Sequence, residues 1–265
     1  MPDQTNPFAT LTLAYDGALA LVTLNRPDKR NAISYELIDE LLRALAEVNQ
    51  SPAQIVILTG SGKAFCSGMD LDNLRSITAR TPEENYADSS TMARLFRRLY
   101  EFPKVTIAAV NGPAIAGGCG LATLCDFTLA STEAQFGYTE VRIGFIPAIV
   151  STFLLRQIGE KHARDLLLTG RIVNADEALR LGLANEVLAP EKLMERAHDL
   201  AAALMQNSPA SLLATKRLLT RYAADELDRE IGDAVDANAR IRTTADFREG
   251  VTSFLEKRKP RWTGN

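Results

Sequence analysis

Residues 111–131 read NGPAIAGGCGLATLCDFTLAS, and the apolar run VTIAAV (105–110) leads directly into them. Residues 105–125 together pass 21 positions without a charge, close to the ~20 that span a bilayer. Asn111-Gly112-Pro113 interrupts that run, and Gly117, Gly118 and Gly120 follow. It reads instead as a buried strand, a turn and a buried helix, with 126–130 as the next strand. A helix that opens straight out of a glycine turn leaves its first backbone N–H groups without intrahelical partners. The segment therefore offers backbone donors, not acidic, basic or nucleophilic side chains.

A second segment has the same form. KAFCSGMDL (63–71) follows Ile55-Val56-Ile57-Leu58, read as a buried strand closed by Gly60-Ser61-Gly62. Gly68 permits a turn that other residues resist, and Asp70 suits a helix cap. Taken singly, each segment is also what an ordinary close-packed strand-to-helix turn looks like. Facing each other, two such turns hold one oxyanion between two N–H donors. That suits a thioester carbonyl becoming an enolate. Neither segment is a Gly-x4-Gly-Lys-Ser/Thr phosphate loop, and Gly117-Gly118-Cys119-Gly120 lacks the dinucleotide spacing.

Outward from these segments, strands and helices alternate. Residues 11–15 and 18–24 flank Asp16-Gly17, a hairpin signal. Ser34 caps a helix whose apolar face is Leu37, Ile38, Leu41, Leu42, Leu45 and Val48. Residues 72–90 are polar and rich in turn formers, which predicts a mobile surface stretch. Met92, Leu95, Phe96 and Leu99 mark a further helix, stopped by Pro103. Short helical pieces at 153–155, 163–168 and 175–181 precede a strand at 185–188. Helices then follow at 191–206, 209–222, 225–240 and 245–258. The reading is an α/β core over 1–195 with a helical region over 196–265.

The 265 residues carry 30 basic and 33 acidic side chains, net −3, with 46% hydrophobic residues. A core of this size needs no staples. The acidic balance argues against a nucleic-acid partner, and no membrane segment is expected. Cys66, Cys119 and Cys125 are odd in number and form no Cys-x-x-Cys, and the two histidines, His162 and His198, lie far from them. No metal site is expected, and a reducing, cytoplasmic setting is the simplest reading. MPDQTNPFATL at the start has neither the basic nor the apolar region of a secretory signal. Cys66 and Cys119 flank the proposed donors, but a thiol nucleophile needs a nearby base, and neither histidine lies in a motif. Both read as small packing residues.

LNRPDKRNAIS (24–34), KAFCSGMDL (63–71), NGPAIAGGCGLATLCDFTLAS (111–131), AQFGYTEVRIGFIP (134–147) and FLEKRK (254–259) stand in the order of one known family. Together they resemble the crotonase superfamily, and within it the enoyl-CoA hydratase/isomerase family, over about residues 10–260. The resemblance implies an α/β, crotonase-like spiral of ββα units with a C-terminal α-helical extension. It also implies a homotrimer or a dimer of trimers. It implies an acyl-CoA thioester substrate and no cofactor beyond the coenzyme A of that substrate. Carried over, the oxyanion donors are the backbone N–H groups of Met69 and Gly117. Ala64 and Ser67 line the bent pantetheine, Gly68 also belongs to the substrate-binding set, Lys29 and Arg30 lie along the CoA edge, and Lys257 reaches the nucleotide phosphates of a neighbouring subunit.

The same resemblance frames the acid/base question. Hydratases of the family carry two glutamates, one at the position of Gly120 and one at that of Glu140. Here only Glu140 remains. Its uncharged flank is expected to raise its pKa by desolvation and suit it to proton transfer. Without the family it would also read as a surface carboxylate paired with Arg142. Tyr138, Glu83 or Glu84 are candidates for a second proton donor. The family's glycine-rich turn after Pro147 is replaced by Ala148-Ile149-Val150-Ser151. Hydration of a 2-enoyl-CoA, including branched, methylglutaconyl-type acyl groups, is the first reading, and 3,2-isomerisation through Glu140 alone is the second. A CoA-thioester hydrolase or decarboxylase, or a non-catalytic acyl-CoA binder, stands behind both.

Overall fold

The computed structural model describes residues 7–265; residues 1–6, where the reading of no secretory signal begins, lie outside them. Strands β1 (Leu11–Asp16) and β2 (Leu19–Leu24) form the expected antiparallel hairpin. Ser34 accepts from the Leu37 amide at 3.1 Å and starts α1 (Tyr35–Gln50), whose 3–4 spacing buries Leu37, Ile38, Leu41, Leu45 and Val48. Strand β3 (Ile55–Gly60) then lies parallel to β2.

Residues 72–90 are not a loop. Asp70 caps α2 (Leu71–Ile77), and a Thr81–Glu84 capping box with Pro82 in the first turn starts α3 (Pro82–Tyr100). These caps satisfy the orphan amides that would otherwise fray both ends. The polar composition misleads because Asn85, Asp88 and Ser89 face inward, where other polar groups meet them. Glu84 is occupied in the capping box, and Glu83 sits beside it on the exposed helix start.

The uncharged run folds as β4 (Val105–Val110), β5 (Ala114–Ile115) and α4 (Gly117–Thr123). Then come β6 (Phe127–Ser131), β7 (Gln135–Gly137), a 3-10 turn (Glu140–Ile143) and α5 (Ala148–Thr169), which breaks at Gly159 (φ 74°). Strand β8 (Ile172–Asn174), α6 (Ala175–Leu181) and β9 (Glu186–Leu188) complete the α/β part. Helices α7 (Leu193–Met205), α8 (Pro209–Tyr222), α9 (Ala224–Ile241) and α10 (Ala245–Leu255) follow. Among the described residues, no helix is long and apolar enough to cross a membrane.

One sheet runs β1-β2-β3-β4-β6-β9, parallel after the hairpin, and a smaller one runs β5-β7-β8. Both faces of the large sheet are covered, as a parallel sheet requires. Ile55, Ile57, Ile107 and Leu129 point to α7, which contributes Leu193, Ala197 and Ala201. Val56, Leu58, Ala108 and Val110 point the other way, into the main core with α1, α3, α4 and α5. The 195/196 division drawn from the sequence falls inside α7, which is a layer of the core. Helix α9 packs on α3 and α5, and α10 packs on the 3-10 turn, so the C-terminal helices reach back to the end of the sheet where the glycine turns sit.

Candidate active site

The two glycine-bearing turns lie against each other. Ile115 N–H donates to Cys66 O at 2.9 Å, and the Phe65 and Cys66 amides both reach Pro113 O at 3.1 Å. The approach is so close that a Cβ on Gly118 would overlap the Cys66 carbonyl. Gly68 adopts φ 89°, and a Cβ there would stand 3.1 Å from that of Ala116. On the far side, Ile33 N–H donates to Gly68 O at 2.7 Å and Asp70 N–H to Ile33 O at 2.9 Å, which pins the chain on both sides of Met69. Ala116 holds φ 52°, ψ −126° immediately before α4 begins at Gly117. A non-glycine residue in so sparse a region costs about 1–3 kcal/mol and persists only where its surroundings over-determine it. Here the Ala116 amide is fixed to Gly137 O at 2.7 Å. The Met69 and Gly117 amides have no acceptor within the described residues, and both residues line one cavity.

That cavity measures about 490 Å³. Ile33, Met92, Phe96 and the segment Phe145–Val150 make most of its wall apolar. Glu140 enters it from the first turn after β7. It is 9% exposed, and its Oε2 has no hydrogen-bond partner. Burial in this wall pushes its pKa up to about 7. It is not paired with Arg142, which is exposed.

Lys29, Arg30 and Ser67 line the cavity beside Met69 and Gly117. Five expected residues do not, Gly120 among them. Ala64 is buried behind the wall, its carbonyl accepting from Asn31 Nδ2 at 2.8 Å. Gly68 shapes the turn without facing the cavity. Tyr138 is 1% exposed, and its hydroxyl meets Thr123 Oγ1 at 3.0 Å inside the core, so it is no second proton donor. Lys257 lies past α10, outside its own chain's cavity.

Gly120 is also not a cavity residue. A Cβ there would meet Val150 Cγ1 at 2.7 Å and the Phe96 ring at 3.1 and 3.3 Å. The volume of a second carboxylate is filled by apolar side chains, one of them from the Ala148–Ser151 replacement. Cys66, Cys119 and Cys125 are buried free thiols, each pushed up to about 12 by that burial, and do not face the cavity. Sequence reasoning missed Asp88, Asn238 and Arg242, which line the cavity from α3 and the end of α9. The available signal was Asn238 and Arg242 at i, i+4 spacing, continuing the inward face of Leu227, Ile231, Ala234 and Val235.

Two backbone amides without acceptors on adjoining turns, and a desolvated, unpartnered carboxyl group in a mostly apolar cavity, are groups that enolate chemistry on a thioester can use. Residues 15–265 match the model of the enoyl-CoA hydratase/isomerase family. The chain belongs to this family. A putative enoyl-CoA hydratase of Thermus thermophilus is 49% identical over 247 residues, 93% of this chain and 98% of that protein. The crotonyl-CoA hydratase of Syntrophomonas wolfei is 35% identical over 95% of this chain and 97% of its own length. Among solved structures, an enoyl-CoA hydratase/isomerase from Xanthobacter autotrophicus superposes with a TM-score of 0.88 at 28% identity, covering 97% of this chain and all of that one. The fold is thus the crotonase spiral, and the protein is an enzyme of the hydratase/isomerase family.

Two outcomes follow from the packing around the family's acid positions. Gly120→Glu is expected to overpack Val150 and Phe96, lowering stability by at least the 1–3 kcal/mol typical of such insertions. Urea unfolding measures it, and unchanged stability would show that the wall yields. Glu140 keeps its proton to a higher pH in the folded chain than in the unfolded one. Unfolding therefore releases a proton between about pH 4.5 and pH 7, and stability falls as pH rises through that window. Glu140→Gln removes this cost, so the variant should gain up to about 3 kcal/mol over the parent at pH 8 and nothing below pH 4.5. Parallel denaturation at pH 4.5 and pH 8 reads the difference.

Proposed function

We propose that this enzyme hydrates a 2-enoyl-CoA, with Glu140 as its single acid/base group. The carrying observation is the unpartnered Oε2 of Glu140, raised to about 7 by burial, in the same cavity as the free Met69 and Gly117 amides. Water adds its oxygen to C3 of the enoyl group. The C2–C3 π electrons move toward the thioester, whose oxygen takes up charge against the two N–H donors. Glu140 accepts the proton that water loses and delivers a proton to C2, so H and OH add to the same face. A group with a pKa near the working pH can do both. Each backbone donor contributes roughly 3–4 kcal/mol to such a transition state. The relatives named as hydratases favour hydration over the double-bond shift that one glutamate also permits.

Coenzyme A enters as part of the substrate and no other cofactor is needed. Lys29, Arg30 and Ser67 take its near portion, and Lys257 serves the nucleotide phosphates of a neighbouring subunit. The assembly is a homotrimer or a dimer of trimers. Leu218, Leu219, Tyr222 and Phe254 support this, since they expose an apolar surface on α8 and α10, Leu219 at 62%. Three buried free thiols suit a cytoplasmic setting.

With crotonyl-CoA, the absorbance of the conjugated thioester should fall. Glu140→Gln should lower kcat by about 10²–10⁴-fold while acyl-CoA binding through the backbone donors persists. Unchanged turnover would assign the proton to another group, and a rise in conjugation with 3-hexenoyl-CoA without hydration would assign the isomerase reaction. Light scattering at micromolar concentration should return three or six times the 28.9 kDa chain mass. A mass of one chain would refute the assembly.

A further inference from the structure

The cavity holds a second unpartnered polar group, far from the chemistry in kind. Arg242 follows directly on α9, is 4% exposed and lines the cavity. Its Nη1 donates to Asp88 Oδ2, with Asn85 Oδ1 at 3.5 Å, and its Nη2 donates to Asn238 Oδ1 at 2.8 Å. Its Cζ sits 5.2 Å from the centroid of Phe145. The Nε atom is buried and donates to nothing. Asp88 does not neutralise the site by itself, because its other oxygen is held by Arg80 Nη1 at 3.1 Å. Two guanidinium groups share one carboxylate, which leaves this cluster one positive charge in surplus.

A guanidinium does not escape burial by losing its proton. An arginine kept only to tie α3 to α9 would have its donors satisfied within the protein. Here Nε is the donor left without an acceptor, and Nε–H together with an Nη2 hydrogen is the side-on fork that takes both oxygens of a carboxylate. The stacking on Phe145 and the bonds to Asp88 and Asn238 hold the plane in place before any ligand arrives, so little is lost in ordering it.

We propose that Arg242 binds a carboxylate at the far end of the acyl chain, so that the preferred substrate is an enoyl-CoA whose acyl group is itself an acid. This rests on the hydratase reading above. The thioester lies at Met69 and Gly117, and the chain runs past Phe145 to the α3–α9 wall. Met92 and Phe96 cover the stretch between and give nothing polar to bond to. Arg80 and the Tyr35 hydroxyl, the other ionisable groups packed around Asp88, take no direct part.

The test compares kcat/KM for trans-2-enoyl-CoA thioesters of five and six carbons that end in a carboxylate with their methyl-ended counterparts of equal length. The parent enzyme should favour the acid at one of these lengths by about 10–100-fold, the range of a hydrogen bond to a charged group. Arg242→Gln and Arg242→Lys, shown folded by circular dichroism, should lose at least tenfold of that ratio. Lysine keeps the charge beside Asp88 but not the fork. An absent preference at both lengths, with the neutral substrates turned over, overturns the proposal and leaves the hydratase reading intact. A preference that survives both substitutions also overturns it. Calorimetry on the unmodified enzyme with saturated glutaryl-CoA and valeryl-CoA decides the matter where the variants do not fold or no enoyl-CoA is hydrated. Tighter glutaryl-CoA binding supports the proposal, and equal binding refutes it.

Discussion

Ala116 stands in a backbone conformation that an L-residue avoids, and the site is organised around that one strained peptide. Its amide is fixed to Gly137, its Cβ touches the Gly68 turn, and the next residue opens α4. Rotating it out of φ 52°, ψ −126° would relieve the strain but would turn the Gly117 amide out of its present direction. The strain is maintained because β3 and β4 deliver the two turns side by side, with Gly118 admitting the Cys66 carbonyl where any side chain would collide. Donors fixed before the substrate binds need no reorganisation as charge develops, which is where backbone donors gain their effect.

The apolar wall around those donors works in two directions. It strengthens each hydrogen bond to a developing negative oxygen by lowering the local dielectric. It also raises Glu140 toward neutral pH by disfavouring its charged form. A second carboxylate in the Gly120 position would have to share this environment, and like charges in a small cavity do not both ionise readily. Val150 and Phe96 occupy that position and keep the wall apolar. The outcome is one group near neutrality that can accept a proton and return it.

The strands, most helices and the two glycine turns could be read from the sequence, because buried strands of four to six apolar residues and glycine turns have local signatures; that Met69 and Gly117 would be the donors came only from the family resemblance. Glu140 was legible only through the resemblance: its own flank, with Arg142 two residues on, reads equally as a surface carboxylate, and its burial depends on the wall that Phe145–Val150 builds around it. The helices over 72–90 were not legible, since their polar residues are turned inward onto partners far along the chain, Ser89 to Asn238 and Asp88 to Arg242. No local pattern encodes a partner about 150 positions away. Tyr138 and Gly120 failed similarly. Their place in a motif put them near the site, but which way each faces depends on Thr123, Val150 and Phe96, and on how three separate elements pack.

One short segment joins the remaining parts. Glu140 begins the 3-10 turn, Phe145 lies under Arg242, and Val150 fills the space beside Gly120. Glu140, the ring beneath Arg242 and the apolar plug beside Gly120 thus all come from one segment of the chain. Its position is set from outside the α/β core. Helix α10 crosses it at Gly250, where a side chain would run into the Ile143 carbonyl, and Phe247 packs on Phe145 with ring centroids 5.4 Å apart. Arg242 and Asn238 come from α9. The helical extension is therefore no independent appendage to a complete core: α10 backs the turn that carries Glu140, and the end of α9 supplies one wall of the cavity.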